Sequence, residues 1–354
     1  MVLTRSLLIG GCATGLALAL VAPSGNATYE SAARTVKIDI PMATDVASSR
    51  DGSRVWVVGA DDGTINKIAD EELKETITTD GDFVMNVWTT PNGKKAFVID
   101  GTRDRLFKAD WSSSKLRSRS TKETPIALVG GKSGGRKVLY VLNLNNGVDE
   151  PKTVSVFGRP KMKLLDTFRL PRPSINQPQA LALSPDGSKL YVGNGRGVRA
   201  AVWVLSTQTG KILHRLKSAY PDWTDLMLEV EAIAVAPRGK YLFVGVFGQA
   251  ATYKLNATTG EIVAMRKAKN QETVTAVSML GAHRVLALSA SPSEGDLPKE
   301  GKLQVLRRKN LKPTRKKITV DRLPIGLAAS QSGKKLTAHV ANNVFGSYWG
   351  ISIG

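Results

Sequence analysis

Apolar and polar positions follow one pattern along this chain, and the pattern recurs seven times. A short apolar run leads into a turn that contains glycine, and a second run rich in Val, Tyr and Phe follows, as in LALSPDGSKLYVGN over residues 181–194. Apolar positions that alternate in steps of two predict half-buried β-strands, and Asp-Gly or Asn-Gly supplies the positive φ angles of a tight hairpin. Each copy therefore predicts a β-hairpin.

The spacing of the copies predicts how the hairpins are assembled. Their marker glycines lie 41 to 53 residues apart, which is the period of a four-stranded propeller blade. More polar runs, such as residues 64–69 and 74–79, follow the first hairpin as candidate outer strands. We therefore predict an all-β fold, a seven-bladed β-propeller of four-stranded antiparallel blades. The marker glycines are Gly52, Gly93, Gly134, Gly187, Gly239, Gly281 and Gly333.

The two ends of the repeat region predict how the ring is closed. After its turn, the last copy has room for only two strands, near residues 335–340 and 344–353. Residues 35–40 have a strand pattern but precede the first copy. We expect this N-terminal strand to join the last blade as its outer strand, because closure protects sheet edges that would otherwise promote aggregation.

Residues 1–27 have the pattern of a secretory signal peptide. Arg5 precedes a mostly apolar run over residues 7–21. Gly25 and Ala27 supply the small residues that signal peptidase requires three positions and one position before the cleaved bond. We expect cleavage after Ala27, a single propeller domain over residues 28–354, and a secreted or cell-envelope location. Two alternatives remain open, which are lipidation of Cys12 and retention of the segment as an uncleaved anchor.

Cysteine usage narrows the chemistry of the mature chain. Cys12 is the only cysteine, so the chain after cleavage would contain none. Disulfides, thiolate metal sites and cysteine nucleophiles are therefore excluded from it. The stability of such an exported domain must come from a large apolar core, which about 300 residues can supply.

The second strands of two copies resemble a family signature. LYVLN (139–143) and LYVGN (190–194) are similar to the Tyr-Val-Thr-Asn motif of the YVTN-type seven-bladed propellers, which are common among exported bacterial proteins. Leu142 and Gly193 stand where that family has Thr. The resemblance extends over the mature chain and implies the propeller fold and export. SPDG (184–187) also occurs in propeller enzymes such as lactonases and in amine-dehydrogenase heavy chains, so it implies no single activity.

The chain is strongly basic, with 50 Lys and Arg against 30 Asp and Glu and a formal net charge of +20. Residues 61–82 are acidic, whereas residues 103–122 and 299–322 are basic. Such an excess favours association with anionic partners. We expect a monomer whose basic rim attracts an anionic cell-envelope polymer, with lipid headgroups or another exported protein as alternative partners. Nucleic acid is disfavoured because no aromatic residues are interleaved with the lysines of 299–322.

Propeller geometry places the candidate site at one mouth of the central channel. The starts of the inner strands and the loops after the second strands converge there, and concave mouths are common ligand sites. A long connection over residues 218–231 contributes Trp223. The polar character of the mouth suits hydrogen bonding to a carbohydrate or a peptide. The candidate ligand-binding residues are Asp45, Asn86, Asp100, Arg103, Asn143, Asn145, Gln179, Asn194, Arg196, Trp223, Glu231, Gln249 and Asn342.

The sequence offers little catalytic chemistry. His214, His283 and His339 are the only histidines and have no metal-ligand spacing, and nothing resembles the elbow of a catalytic serine. We predict no metal, no cofactor and a non-catalytic binding or scaffold role. One alternative is a propeller enzyme, a lactonase-like hydrolase or a lyase, with His339 approaching the mouth as a general base. The other is the propeller subunit of a redox enzyme complex.

Overall fold

Strands form all of the regular secondary structure in the described part of the chain. The structure is a computed structural model that describes residues 34–60, 62–145, 150–171, 178–194, 201–216, 229–247, 251–268, 272–291, 293–294, 297–344 and 346–353. Residues Ala33–Gly354 form one compact unit, and the predicted signal peptide lies outside the described residues. Across those residues, no helix has the length and apolar character needed to cross a membrane.

The strands are grouped into sheets of four in chain order. The first strand, β1 (Thr35–Asp39), precedes blade 1, which comprises β2 (Ala43–Ser48), β3 (Val55–Gly59), β4 (Thr64–Ala69) and β5 (Glu72–Thr78). Blade 2 comprises β6 (Val84–Thr89), β7 (Lys95–Asp100), β8 (Arg105–Asp110) and β9 (Ser113–Ser120). Blade 3 comprises β10 (Pro125–Ser133), β11 (Arg136–Asn143), β12 (Thr153–Gly158) and β13 (Lys163–Arg169).

The second half of the chain continues the same arrangement. Blade 4 comprises β14 (Pro178–Leu183), β15 (Lys189–Asn194), β16 (Ala201–Ser206) and β17 (Ile212–Leu216). Blade 5 comprises β18 (Glu229–Val235), β19 (Tyr241–Phe247), β20 (Ala251–Asn256) and β21 (Ile262–Lys267). Blade 6 comprises β22 (Thr273–Leu280), β23 (Arg284–Ala290), β26 (Glu300–Arg307) and β27 (Pro313–Arg322), with the short hairpin β24 (Ser293–Glu294) and β25 (Leu297–Pro298) between its second and third strands.

The last sheet contains both ends of the described chain. Blade 7 comprises β28 (Pro324–Ser332), β29 (Lys335–Asn342) and β30 (Ser347–Ser352), and β1 is its fourth strand. The β1–β30 pairing is antiparallel and runs from Thr35 opposite Ile351 to Asp39 opposite Ser347.

The innermost strands form a closed ring. Each contacts the innermost strand of the next blade, in the order β2, β6, β10, β14, β18, β22, β28 and back to β2. Seven four-stranded antiparallel sheets therefore surround one axis. The prediction of an all-β seven-bladed propeller is confirmed.

The core lies between neighbouring blades. All five residues of β3 are buried, as are the last five of β7 and the last six of β11. These second strands are covered on both faces because a blade lies on either side, which explains their nearly continuous apolar sequence. Burial of apolar surface contributes about 25 cal/mol per Å², so the interfaces between blades stabilise the ring.

A buried lysine links the outer parts of blades 1 and 2. The Lys67 side chain on β4 is 2% exposed, and its Nζ donates to the backbone oxygens of Trp111 and Ser113, at 3.0 Å each, in the outer turn of blade 2. The same Nζ lies 2.6 Å from Oε2 of Glu75. A buried ammonium group is tolerated only when its donors are satisfied, and here the satisfied donors hold two blades together. Lys254 of blade 5 makes the corresponding bond to the backbone oxygen of Lys309 in blade 6.

Candidate functional site

The strand register defines two ends of the propeller. The first residue of each inner strand lies opposite the last residue of the second strand, as in Val84 opposite Asp100 and Pro324 opposite Asn342. This end is called the channel mouth. The seven marker-glycine hairpins lie at the other end, which is called the turn face. The predicted ligand-binding residues belong to the channel mouth.

Three of those residues occupy equivalent positions, at the ends of the second strands of blades 2, 3 and 7. Asp100, Asn143 and Asn342 are each 0% exposed. Oδ1 of Asp100 accepts bonds from the backbone amides of Thr102 and Arg103, at 2.8 and 2.7 Å. Nδ2 of Asn143 donates to the backbone oxygen of Val141 at 3.1 Å, and Nδ2 of Asn342 donates to that of Ser347 at 3.3 Å. Asp100 therefore fixes the loop that leaves its strand, whereas Asn143 bonds within its own strand and Asn342 bonds to the next strand. Asn194, the equivalent residue of blade 4, is also buried.

The two predicted residues in the mouth loops of blades 2 and 3 also have partners within the propeller. Arg103 is half-exposed, and its Nη2 lies 2.8 Å from Oδ2 of Asp82. Asn145 has a positive φ of 47°, and its Nδ2 donates to the backbone oxygen of Pro151 at 2.5 Å. A direct role in ligand binding stays a prediction for these residues.

The inner strands of blades 1 to 3 are joined by two side chains of the predicted set. Oδ2 of Asp45 accepts bonds from Nδ2 of Asn86 at 2.6 Å and from the backbone amide of Val87 at 2.9 Å. Oδ1 of Asn86 accepts a bond from the backbone amide of Leu128 at 3.0 Å. An inner strand has one edge without a partner strand, so its amides need side chains or water as acceptors. Asp45 and Asn86 meet this need across two successive blade interfaces.

Burial changes the acidity of Asp45. It raises the pKa of the carboxyl from 3.8 to about 7, and the bonds from the backbone amides of Val87 and Val46 offset only part of the rise. Desolvation therefore outweighs hydrogen bonding here. The carboxyl titrates near neutral pH, and the charge of the inner ring changes with it.

Gln179 of blade 4 and Glu231 of blade 5 each lie at a β-bulge of their own inner strand. Nε2 of Gln179 donates to Oε2 of Glu229 at 3.0 Å, so Glu229 rather than Glu231 faces it across the blade interface. The register of β18 shifts between Val230 and Ala232, which places Glu231 at a β-bulge. Similar shifts occur near the start of every inner strand, and spacing from a marker glycine does not reveal them. Arg196, Trp223 and Gln249 lie outside the described residues.

His339 does not lie at the channel mouth, which corrects the expectation from its position in the sequence. It is buried in the middle of blade 7, with Nε2 2.8 Å from Oγ of Ser330 and Nδ1 2.8 Å from the hydroxyl oxygen of Tyr348. Burial lowers the pKa of the imidazole from 6.5 to about 4, and the charge of Lys335 adds to the effect. Gly52 of blade 1 covers Ser330, since a Cβ at position 52 would lie 2.4 Å from its Oγ. The chain of three side chains links the strands of blade 7.

Four of the seven marker glycines, namely Gly52, Gly93, Gly187 and Gly281, lie where neighbouring blades approach closely. A Cβ on Gly187 would lie 1.7 Å from the backbone oxygen of Lys132 in blade 3, and one on Gly93 would lie 2.6 Å from Cβ of Arg54 in blade 1. Both glycines also have positive φ angles. Glycine is thus required at these turns for backbone conformation and for the close approach of the next turn.

A cation follows the marker glycine within three residues in every blade, a feature that our sequence analysis missed. The signal was present in the repeat itself, in strings such as DGSR, NGKK and SGKK. No Asp or Glu occupies these positions. The cations are Arg54, Lys94, Lys95, Arg136, Lys137, Lys189, Lys240, Arg284, Lys334 and Lys335.

Comparisons with known proteins identify an architecture. No protein-family model matches the chain, and no curated protein matches it. Solved structures do match, and 1477 of their chains are similar. One is the β-propeller domain of Cps50 (Swd1) from Myceliophteria thermophila, which is 11% identical, has a TM-score of 0.68, and is matched over 90% of this chain and 98% of that chain. The chain is a seven-bladed β-propeller.

The propeller offers charge and rigid hydrogen-bonded loops rather than a cluster of reactive groups. Among the described residues, no three His, Cys, Asp or Glu side chains are grouped so that they could hold a metal ion. The acidic run of blade 1 is largely neutralised, because Glu71, Glu75, Asp80 and Asp82 each lie within 4 Å of a Lys or Arg nitrogen. The basic charge elsewhere is not balanced to the same degree.

Proposed function

We propose that this protein is an exported, non-catalytic β-propeller that binds an anionic cell-envelope polymer through its basic surface. In this proposal the propeller acts as a rigid scaffold, and the channel mouth is a second recognition site for a ligand or an exported partner. The similarity to YVTN-type propellers and the pattern of residues 1–27 support the extracytoplasmic location.

The observation that carries the proposal is the unbalanced positive charge. The formal net charge is +20, and the acidic residues of blade 1 are already paired with cations. The exposed cations of the other blades are therefore available to a polyanion. Each anionic group that such a polymer contributes would release counterions, which gives an affinity that falls steeply with salt.

Polymer binding is tested by cosedimentation of the mature chain with cell-wall fragments. One sample retains its phosphodiester polymer, and a matched sample has been stripped of it by acid. We expect the propeller to sediment with the first sample at about 50 mM salt and to be released as the salt is raised. Equal binding to the stripped fragments, or binding that does not change with salt, would refute the proposal.

Export is tested separately. The intact mass of the protein recovered outside the cytoplasm is expected to match residues 28–354. A mass that includes residues 1–27 would support the anchor alternative, and a lipid adduct on Cys12 would support lipidation.

A further inference from the structure

We propose that the turn face, at the end of the propeller opposite the channel mouth, is the surface that binds a linear phosphate polymer. This inference rests on the proposed function, because it assigns the anionic polymer to one face and one chemistry. The ligand class is a flexible chain of regularly spaced phosphate groups, either inorganic polyphosphate or a phosphodiester polymer of the envelope.

The turn face is preorganised because neighbouring hairpins contact each other. The backbone amide of Gln331 in blade 7 donates to the oxygen of Arg50 in blade 1 at 2.7 Å, and the amide of Arg50 donates to the oxygen of Pro91 in blade 2 at 2.9 Å. The approach of Gly187 to Lys132 links the turns of blades 3 and 4. Side chains carried by fixed turns lose less freedom on binding than side chains of a mobile loop.

The turn-face cations of blades 2, 3, 5 and 7 are exposed, whereas Arg54, Lys189 and Arg284 of blades 1, 4 and 6 are half-buried. Lys94, Lys137, Lys240 and Lys334 are exposed, and none of them has an ion pair with the described acidic residues. Two other turn-face cations have ion pairs, which join Lys95 to Asp110 at 3.6 Å and Lys335 to Glu71 at 3.8 Å.

The acidic residues of the same hairpins are used within their own turns. Oδ1 of Asp51 accepts bonds from Oγ of Ser49 and from the backbone amide of Ser53, at 2.5 and 3.1 Å. Asp186 accepts the equivalent bonds from Ser184 and Ser188. These carboxylates shape the turns but keep their negative charge, so Asp186 offsets the charge of Lys189 in blade 4. The marker-glycine turns of blades 2, 3, 5, 6 and 7 contain cations and no Asp or Glu.

The absence of apolar anchors on this face favours a polymer over a folded protein partner. The large exposed apolar side chains of the described residues are Leu73, Leu164, Leu165, Leu213 and Val263, and all lie on outer strands. Protein interfaces usually depend on buried aromatic or aliphatic anchors. A chain of phosphates needs only repeated cations.

The aromatic residues near the turn face argue against nucleic acid. The guanidinium of Arg54 lies over the ring of Trp111, 5.6 Å from the ring centroid. Nζ of Lys254 lies over the ring of Tyr241, 4.1 Å from the ring centroid. Single-stranded nucleic acids are held by bases that stack on open aromatic rings, and these rings already have cationic partners.

Two variants of equal charge separate the turn face from the rest of the surface. The turn-face variant combines Lys94→Gln, Lys137→Gln and Lys334→Gln. The control combines Lys115→Gln, Lys163→Gln and Lys267→Gln, three exposed lysines on outer strands. Affinity for long-chain inorganic polyphosphate is measured by titration calorimetry over a series of salt concentrations, after both variants have been shown to unfold at the denaturant midpoint of the wild type.

We expect the turn-face variant to bind polyphosphate about a hundredfold more weakly at about 0.1 M salt, because each lost phosphate contact contributes about fivefold there. The magnitude of its log–log salt slope should fall by about 2. The control should stay within about threefold of the wild type, since long-range attraction is screened beyond about 10 Å. Equal weakening of the two variants would overturn the assignment to the turn face and leave the proposed function standing.

Further polymers identify the source of the phosphate. Tighter binding of poly(glycerol phosphate) than of polyphosphate would support an envelope polymer, and the reverse would support free polyphosphate. Tighter binding of oligodeoxythymidine with the same number of phosphates would overturn the inference in favour of nucleic acid. A wild-type chain that binds none of the three would refute the inference and the proposed function together.

Discussion

Replacement of Asp45 by Asn tests whether a carboxyl of the inner ring is held largely protonated at mildly acidic pH. The carboxyl has a folded-state pKa of about 7 against 3.8 for an unperturbed group. Between these values the folded chain binds a proton that the unfolded chain does not. The stability from this group is therefore full below pH 3.8 and is lost as the pH rises through 7.

The size of the effect follows from the pKa difference. A difference of this size is worth at most about 4 kcal/mol, and we expect about 2 to 4 kcal/mol because a minor part of the residue remains exposed to solvent. An Asn at position 45 has no such titration, and its Oδ1 can still accept the bonds now made by Asn86 and Val87. The variant should therefore match the wild type near pH 4 and exceed its stability by about 2 to 4 kcal/mol at pH 8.

The assay is denaturant unfolding of both proteins, followed by tryptophan fluorescence from pH 4 to pH 8. At about 2 °C per kcal/mol for a chain of this size, thermal melting at pH 8 should show a gain of about 4 to 8 °C. Asp51→Asn is the control, because Asp51 is exposed and its pKa is lowered by bonds from Ser49 and Ser53, so that variant should show no pH-dependent difference between pH 5 and 8. If the difference between Asp45→Asn and the wild type is the same at pH 4 and pH 8, the carboxyl has no raised pKa and the reasoning is wrong.

Three further changes test the interactions within and between blades. Wild-type stability should fall by about 3 kcal/mol as the pH falls from 6.5 toward 4, since His339, with its lowered folded-state pKa, stabilises the fold only while it is neutral. His339→Gln should not show this fall. An unchanged pH profile of denaturant unfolding would contradict the prediction. Lys67→Met should lower the free energy of unfolding by about 2 to 4 kcal/mol, because it leaves two backbone oxygens of blade 2 without donors. The control Lys74→Met breaks only exposed ion pairs and should lower it by less than about 1 kcal/mol. Gly187→Ala should lower the free energy of unfolding by more than about 3 kcal/mol, because its Cβ would meet the backbone of blade 3. The control Gly333→Ala has nothing within 4 Å of its Cβ and should lower it by only about 1 kcal/mol. Equal melting temperatures for the two glycine variants would refute the close approach.

The architecture was predictable because blade formation depends on local signals that the sequence states repeatedly. A marker glycine with positive φ, as at Gly93 and Gly187, fixes a hairpin, and the 41 to 53 residue spacing fixes four strands per blade. The inner-strand bulges were not predictable in the same way. The bulge recurs near the start of all seven inner strands but leaves no mark in the spacing of the marker glycines, so the sequence did not show that Gln179 bonds to Glu229.

The candidate site was predicted less well than the fold, and the reason is orientation. The sequence places Asp100, Asn143 and Asn342 at the ends of second strands, where a loop begins, but it does not state whether the side chain faces solvent or its own loop. In the structure all three are buried and bonded to their own blades. A carboxyl or amide at a strand end can satisfy nearby backbone groups, as Asp100 does for its loop amides and Asn143 and Asn342 do for strand oxygens. Polar residues at such positions are therefore weak evidence for a ligand site.

The turn-face cations are stronger evidence, because the fold does not demand them. The three residues after a marker glycine lead from the turn into the second strand, where Ser, Thr, Asn or Glu would fit as well as Lys. If the positions served solubility alone, acidic residues would serve at least equally well, and β5 shows that the surface of this propeller tolerates them. Instead each of the seven blades has Lys or Arg there and none has Asp or Glu. A positive charge within three residues of all seven marker glycines, on turns of which several contact one another, is what a ligand with repeated negative charges would require.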